Sequence, residues 1–188
     1  MTRSRYAIML DGGFVTRKFH KRLERTVDGN DVVCLCNAIR NVPFLKHHDL
    51  FRIFYYDAPP SDDVIKRPVS GKVYALEKTP RARNSKRIHA HLMQAERFAM
   101  RMGEAVLAPW QWKLKPKTTE ALIKEHRQLT DNDFLLDFGQ KGIDMKIGLD
   151  MARLALRQDV TAIVVVSGDS KFVPAFKFVR REGVQVTL

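Results

Sequence analysis

The chain has 188 residues, with 33 Lys+Arg against 21 Asp+Glu and a formal net charge of +12. Hydrophobic residues at 45% and charged residues at 29% exclude a disordered tail and suffice for one domain with a full-sized core, while no apolar run approaches the ~18 residues of a membrane span. Two cysteines, Cys34 and Cys36, exclude a disulfide framework and a four-thiolate zinc site; a reducing compartment, the cytoplasm, is therefore expected, and the positive excess points to an anionic partner, most simply nucleic acid.

In chain order, Arg5–Leu10 is a short apolar run ending in Asp11-Gly12-Gly13, which predicts a buried strand and a tight turn. Phe14–Arg25 reads as a basic helix anchored by Phe14, Phe19 and Leu23. Asp31–Asn41 reads as a helix capped by Asp31, with Val32, Leu35, Cys36 and Ile39 on one stripe. Leu50–Tyr56 is aromatic and β-branched, hence a strand. Residues 61–87 are polar and basic and read as loop. Ile88–Met102 carries Leu92, Ala95, Phe98, Ala99 and Met102 at helical spacing before Gly103, which predicts one helix.

Ala105–Trp112 is the next strand, followed by a helix over Thr118–Leu129 capped by Thr118 or Thr119. A connecting loop is expected over 130–141. Ile143–Leu156 has Ile147, Met151 and Leu154 on one stripe, a helix; Ala162–Val166 is uninterrupted apolar sequence, as in a strand buried on both faces. Ser167-Gly168-Asp169-Ser170 turns into a helix over Phe172–Arg181, and Val184–Leu188 begins a last strand. The run stops at Leu188 inside strand-like sequence, which leaves a native and a truncated end both open. The alternation implies a single α/β sandwich with a mostly parallel sheet.

Parallel sheets bind ligands at the carboxyl ends of their strands. Asp11, Asp57 and Asp169 fall at such ends, and Asp144 opens a helix. Each alone is adequately explained as a turn or cap residue. Together they describe a rim of hard oxygen donors suited to Mg²⁺ or Mn²⁺. Asp150, roughly 120° round the helix from Asp144, reads by default as a surface ion pair with Lys146 or Arg153. His47, His48, His89 and His91 lack a matching thiolate set and read as exposed or phosphate-facing. No dinucleotide-binding, P-loop or nucleophile-elbow fingerprint is present.

The basic residues cluster in three places: Arg17, Lys18, His20, Lys21 and Arg22; Lys78, Arg81, Arg83, Lys86 and Arg87; and Lys113, Lys115 and Lys117 beside Trp110 and Trp112. Such clusters beside aromatics suit phosphate contact with some base stacking.

The segments MLDGGF (9–14), FYYDAPP (54–60), QKGIDMKIGLDMARLA (140–155) and VVVSGDSKFVPAFKFVRREGV (164–184) resemble the NYN domain proteins, a branch of the PIN-like nucleases that includes the LabA-like and DUF88 groups. The resemblance implies a PIN-like three-layer α/β/α sandwich and a metal-dependent endoribonuclease that takes Mg²⁺ or Mn²⁺ and cuts RNA, expected to be single-stranded. Asp11, Asp144 and Asp169 match its acidic metal-binding positions. Asp57 and Asp150 match recurrent acidic positions, while Gly12, Ser167, Ser170 and Lys171 lie in the turns that would orient a ligand or phosphate. In one place the chain departs from the pattern. The family usually reads Ser-Gly-Asp-Ser-Asp-Phe, and here the fifth residue is Lys171. Either Lys171 contacts substrate phosphate, or this copy is a weakened nuclease that binds RNA as a regulatory module. A small-molecule phosphohydrolase would use the same rim but gives no reason for so many cations. A homodimer is one way to cover the aromatic Leu50–Tyr56 segment.

Overall fold

The computed structural model describes residues 4–188. Strands β1 (Arg5–Asp11), β2 (Asp49–Asp57), β5 (Phe98–Met102), β8 (Ala162–Val166) and β9 (Gln185–Thr187) form one sheet in the order β5-β2-β1-β8-β9. Every neighbouring pair in it is parallel. Helices α1 (Gly12–Leu23), α2 (Gly29–Arg40) and α3 (Pro80–Gln94) follow β1 and β2, and α5 (Ile143–Leu156) and α6 (Val173–Arg181) flank β8.

Alternation along β1 explains the layers. Tyr6, Ile8 and Leu10 pack with Val15, Val32, Cys36, Ile88 and Leu92 of the first three helices. Ala7 and Met9 pack with Ile147, Met151, Leu154, Phe176 and Val179 of α5 and α6. Successive strand residues face opposite sides, so a central strand with apolar residues throughout needs a helical layer on each face. The expected α/β/α sandwich is borne out. Among the described residues no helix is long and apolar enough to cross a membrane.

Helix starts follow the caps. Asp11 accepts from Phe14 N at 3.0 Å and launches α1 directly from β1, two residues before the expected start. Asp28, not Asp31, caps α2; Asp31 closes the capping box and holds Arg25 in a fork at 2.6 and 2.8 Å. Cys36 is buried under the sheet and Cys34 is exposed, as expected for i and i+2 on a helix; burial pushes the Cys36 thiol up to about 12.

Four expectations fail in the middle of the chain. Residues 61–87 are not loop: β3 (Val64–Lys66) and β4 (Val73–Ala75) pair as a hairpin, and α3 begins at Pro80, capped by Thr79. The helix expected over 88–102 ends at Gln94. The chain reverses through Arg97 at φ 63°, and Phe98–Met102 forms edge strand β5 against Ile53–Asp57. Phe98, Ala99 and Met102 fit helical spacing equally well, and only β2's open hydrogen-bonding edge selects the strand.

Residues 134–141 are strand β7 (Phe134–Lys141), not loop. It pairs antiparallel with β6 (Glu104–Leu114) as a separate ribbon, so β6 does not join the parallel sheet. The last corrected element is α4 (Pro116–Glu125), which starts after Lys115 with no side-chain cap and contains Thr118 as a buried residue. Finally, Leu50 and Ile53–Tyr56 are buried between β1 and β5, which removes the reason for expecting a homodimer.

Candidate functional site

The sheet changes winding direction between β1 and β8, and a crevice opens there beyond the strand ends. Leu10 and Val166 are register partners, so the next residues, Asp11 and Ser167, emerge side by side. Ser167 Oγ donates to Asp11 Oδ2 at 3.1 Å and accepts from Asp169 N at 3.3 Å. One serine thus joins the Asp11 carboxylate to the backbone amide of Asp169.

Two glycines permit this close approach. A Cβ on Gly12 would fall 2.6 Å from the Tyr55 ring, and one on Gly168 would fall 2.3 Å from the Phe14 ring. The turn after β8 therefore packs on Phe14 of α1, while the turn after β1 packs on Tyr55 of β2.

Asp144 lies in the first turn of α5 and reaches the same place through Lys171. The Lys171 ammonium stands 3.5 Å from Asp169 Oδ2 and 3.7 Å from Asp144 Oδ2. Lys171 N also donates to Asp169 Oδ1 at 2.9 Å. A cation from the chain itself therefore spans two carboxylates of the rim. The Lys171 side chain is 72% exposed, so it can turn into water. Among the described residues, no three His, Cys, Asp or Glu side chains are grouped so as to hold a metal ion. Ser170 is exposed beside Lys171.

Asp57 is one strand over and is held by other groups. It accepts from Ala58 N at 2.8 Å, Gln140 Nε2 at 2.6 Å and His89 Nε2 at 2.8 Å. A carboxylate can only accept, so Nε2 of His89 carries the hydrogen. Asp57 and His89 are both buried, which corrects the expectation that His89 is exposed. Asp150 is no surface pair either: it accepts from Tyr56 Oη at 3.0 Å and Arg101 Nε at 2.8 Å, with Arg153 only at 3.8 Å. Both aspartates act as anchors that tie β2 to α3, to β7 and to α5. Sequence reasoning missed His89, Gln140 and Arg101, because no local pattern marks them as partners of residues 32 to 83 positions away.

Tyr55 of β2 packs against the Gly12 turn, fully buried, and its hydroxyl has no hydrogen-bond partner. Burial first, then the carboxylates of Asp57 and Asp11, holds its phenol far above the ordinary value. It stays protonated, a donor facing an acidic neighbourhood.

The predicted cations differ in what holds them. Arg17 folds its Nε back to the Gly13 carbonyl at 2.9 Å, which brings one charge to the Asp11 turn. Lys18 stacks its ammonium 5.5 Å over Phe14, and Lys21 and Arg22 are exposed one turn on. Lys78, Arg81, Arg83, Lys86 and Arg87 are all exposed along α3 and the turn before it. Lys113 and Lys115 are engaged internally, with Asp137 at 2.7 Å and with the Asn132 carbonyl.

The NYN domain family model matches residues 21–188, and the chain belongs to that family. The match begins inside α1, so β1 and Asp11 lie outside it. The crystal structure of a protein of unknown function from Vibrio parahaemolyticus superposes with a TM-score of 0.50 at 18% identity, over 98% of this chain and 79% of that one. At that identity the likeness speaks for the fold alone. No curated protein matches.

Proposed function

We propose that this NYN domain is a divalent-metal-dependent endoribonuclease acting on single-stranded RNA, with Asp11, Asp144 and Asp169 as the metal-holding carboxylates. Membership of the family supports a PIN-like nuclease fold. The observation that carries the reading further is the chain Asp11–Ser167–Asp169 at the sheet's switch point, with Asp144 joined to Asp169 through an ammonium ion.

That ammonium is also the test of fit. Two carboxylates that share a Lys⁺ already form a cation site, and their oxygens are the donor type Mg²⁺ and Mn²⁺ require. The donor chemistry suits a metal, but among the described residues no three acidic side chains are grouped to hold one. Asp11, Asp144 and Asp169 would therefore have to close on the ion as Lys171 turns outward. Bound there, the ion would supply Lewis-acid stabilisation for in-line displacement at phosphorus. The chain's residues do the rest: Ser167 fixes the Asp11 carboxylate and the Asp169 backbone, and Arg17 and the α3 cations hold the strand by its phosphates. Free Cys34 and Cys36 fit a reducing compartment such as the cytoplasm.

The test is cleavage of single-stranded RNA in Mn²⁺ by the wild type and by Asp169→Asn. Loss of a ligand should cost at least about a hundredfold, the upper end for an outer-shell partner. Equal rates would remove the metal mechanism.

The Lys171 contacts favour a second reading, in which the ammonium permanently replaces the metal and the domain binds RNA without cutting it. That reading predicts salt-dependent binding with no metal requirement. Lys171→Asp separates the two: a gain of metal binding and cleavage supports a nuclease restrained by Lys171. A variant that gains neither leaves the binding module.

A further inference from the structure

The β6–β7 ribbon carries a feature that the rim does not use. Between the pairs Leu107↔Phe138 and Trp112↔Leu136, four residues of β6, Ala108–Gln111, oppose the single Asp137 of β7. Gln111 takes φ 57° to close this bulge. Trp110 sits in it with 88% of its surface exposed, more than any other large apolar side chain among the described residues. Bulges re-aim side chains and recur next to functional sites.

The bulge is braced from behind. Trp112 donates its indole N–H to the Lys66 carbonyl at 2.8 Å, and its ring lies 5.6 Å from Tyr74. Arg67 caps the far face of this pair, 4.5 Å over Tyr74. The hairpin turn is tied down in its turn, since Asp131 accepts from Val69 N at 3.0 Å and Ser70 Oγ at 2.5 Å. Trp110 therefore projects from a held backbone, and ordering it on a ligand costs little.

We infer that Trp110 is a stacking platform for a base of single-stranded RNA that enters the rim. This rests on the proposed RNA reading and adds a contact to it. Three observations favour RNA as the occupant. An indole face suits any unpaired base. Lys66 and Lys72 on the adjoining hairpin are exposed and give backbone-neutralising charge, whereas Arg67, Lys113 and Lys115 are engaged within the hairpin and ribbon. The ribbon also leads to the rim: Gln140, which holds Asp57, is three residues along β7 from Asp137, or about 10 Å at 3.3 Å per residue. A base on Trp110 would thus lie only a few nucleotides from a phosphate at the crevice.

The experiment measures binding of a labelled single-stranded RNA of about ten nucleotides to the full chain, with a chelator present so that no cleavage intervenes. Trp110→Ala should weaken binding about tenfold, and Trp110→Phe should retain most of the affinity. One abasic position in the RNA should weaken wild-type binding and leave Trp110→Ala indifferent. With 88% of its surface exposed, Trp110 contributes little to folding, and an unchanged melting temperature in the variants confirms that the loss is one of contact. If the wild type binds RNA and Trp110→Ala binds it equally well, stacking is refuted while the RNA reading stands; the indole, with exposed Val64 and Val73 on the hairpin, then belongs to a protein contact. If the wild type binds no RNA even at low salt, the RNA reading itself fails and the platform with it.

Discussion

Replacing Lys171 by aspartate is the perturbation the rim geometry describes best. The ammonium stands 3.5 and 3.7 Å from the Asp169 and Asp144 carboxylates. Asp11, Asp144, Asp169 and Lys171 together carry a formal charge of −2, which the variant makes −4. Two unit charges 4 Å apart interact by about 1 kcal/mol at the dielectric of water, so a divalent ion gains about 2 kcal/mol when a neighbouring positive charge is removed. Substituting a negative charge contributes about 2 kcal/mol more. The side chain is 72% exposed and can already turn away from an incoming ion, and salt screens what remains, so about half of the sum is expected. Mn²⁺ affinity should therefore rise by roughly 30-fold, with Lys171→Ala about midway on a logarithmic scale. Titration calorimetry with Mn²⁺ measures it, and Mn²⁺-dependent cleavage should rise alongside. An affinity unchanged in both variants would mean that Lys171 does not compete with a metal at the rim, and the electrostatic account would be wrong.

His89→Ala removes one of three donors to the buried Asp57 carboxylate and should destabilise the fold by about 1–3 kcal/mol in urea unfolding; an unchanged midpoint would mean that water replaces the imidazole without cost. Tyr55→Phe deletes a buried hydroxyl that has no partner and should raise the melting temperature, because an unsatisfied polar group is unfavourable where it is buried; a fall would reveal a hydrogen bond made in solution. The bidentate Arg127 fork, at 2.6 and 2.8 Å, and two Thr130 donors hold the Asp133 carboxyl well below its usual range. A carboxylate whose pKa is lower in the folded than in the unfolded chain adds stability above the ordinary value of about 3.9, and that stability is lost as pH falls below it. Asp133→Asn should therefore flatten the acid limb of the pH–stability curve and leave its slope near neutrality unchanged. An unaltered acid limb would place the proton-linked stability elsewhere.

Much of this protein was legible locally. Ala162–Val166 is uniformly apolar, as in a strand covered on both faces, and Tyr6–Leu10 reads as a buried strand; both are central in the sheet. Ile147, Met151 and Leu154 mark the buried stripe of α5 at helical spacing. Asp11 and the Ser167–Asp169 turn come side by side because β1 and β8 are parallel neighbours, and Lys171 announces its charge by identity alone. Tertiary structure decided the rest. Phe98–Met102 fits a helix and a strand equally well by periodicity, and it becomes β5 because β2 has a free edge for it. Residues 134–141 become β7 only because β6 lies alongside. The same holds at the site. The sequence predicts an exposed His89, yet it closes on Asp57 from 32 positions away. Lys171 meets Asp144 across 27 positions because the turn after β8 and the start of α5 converge over the same crevice. Local spacing encodes which face a residue takes along its own element. Which partner waits on that face is fixed by the packing of elements distant in the chain, and here that packing puts an ammonium ion between two carboxylates, Asp144 and Asp169.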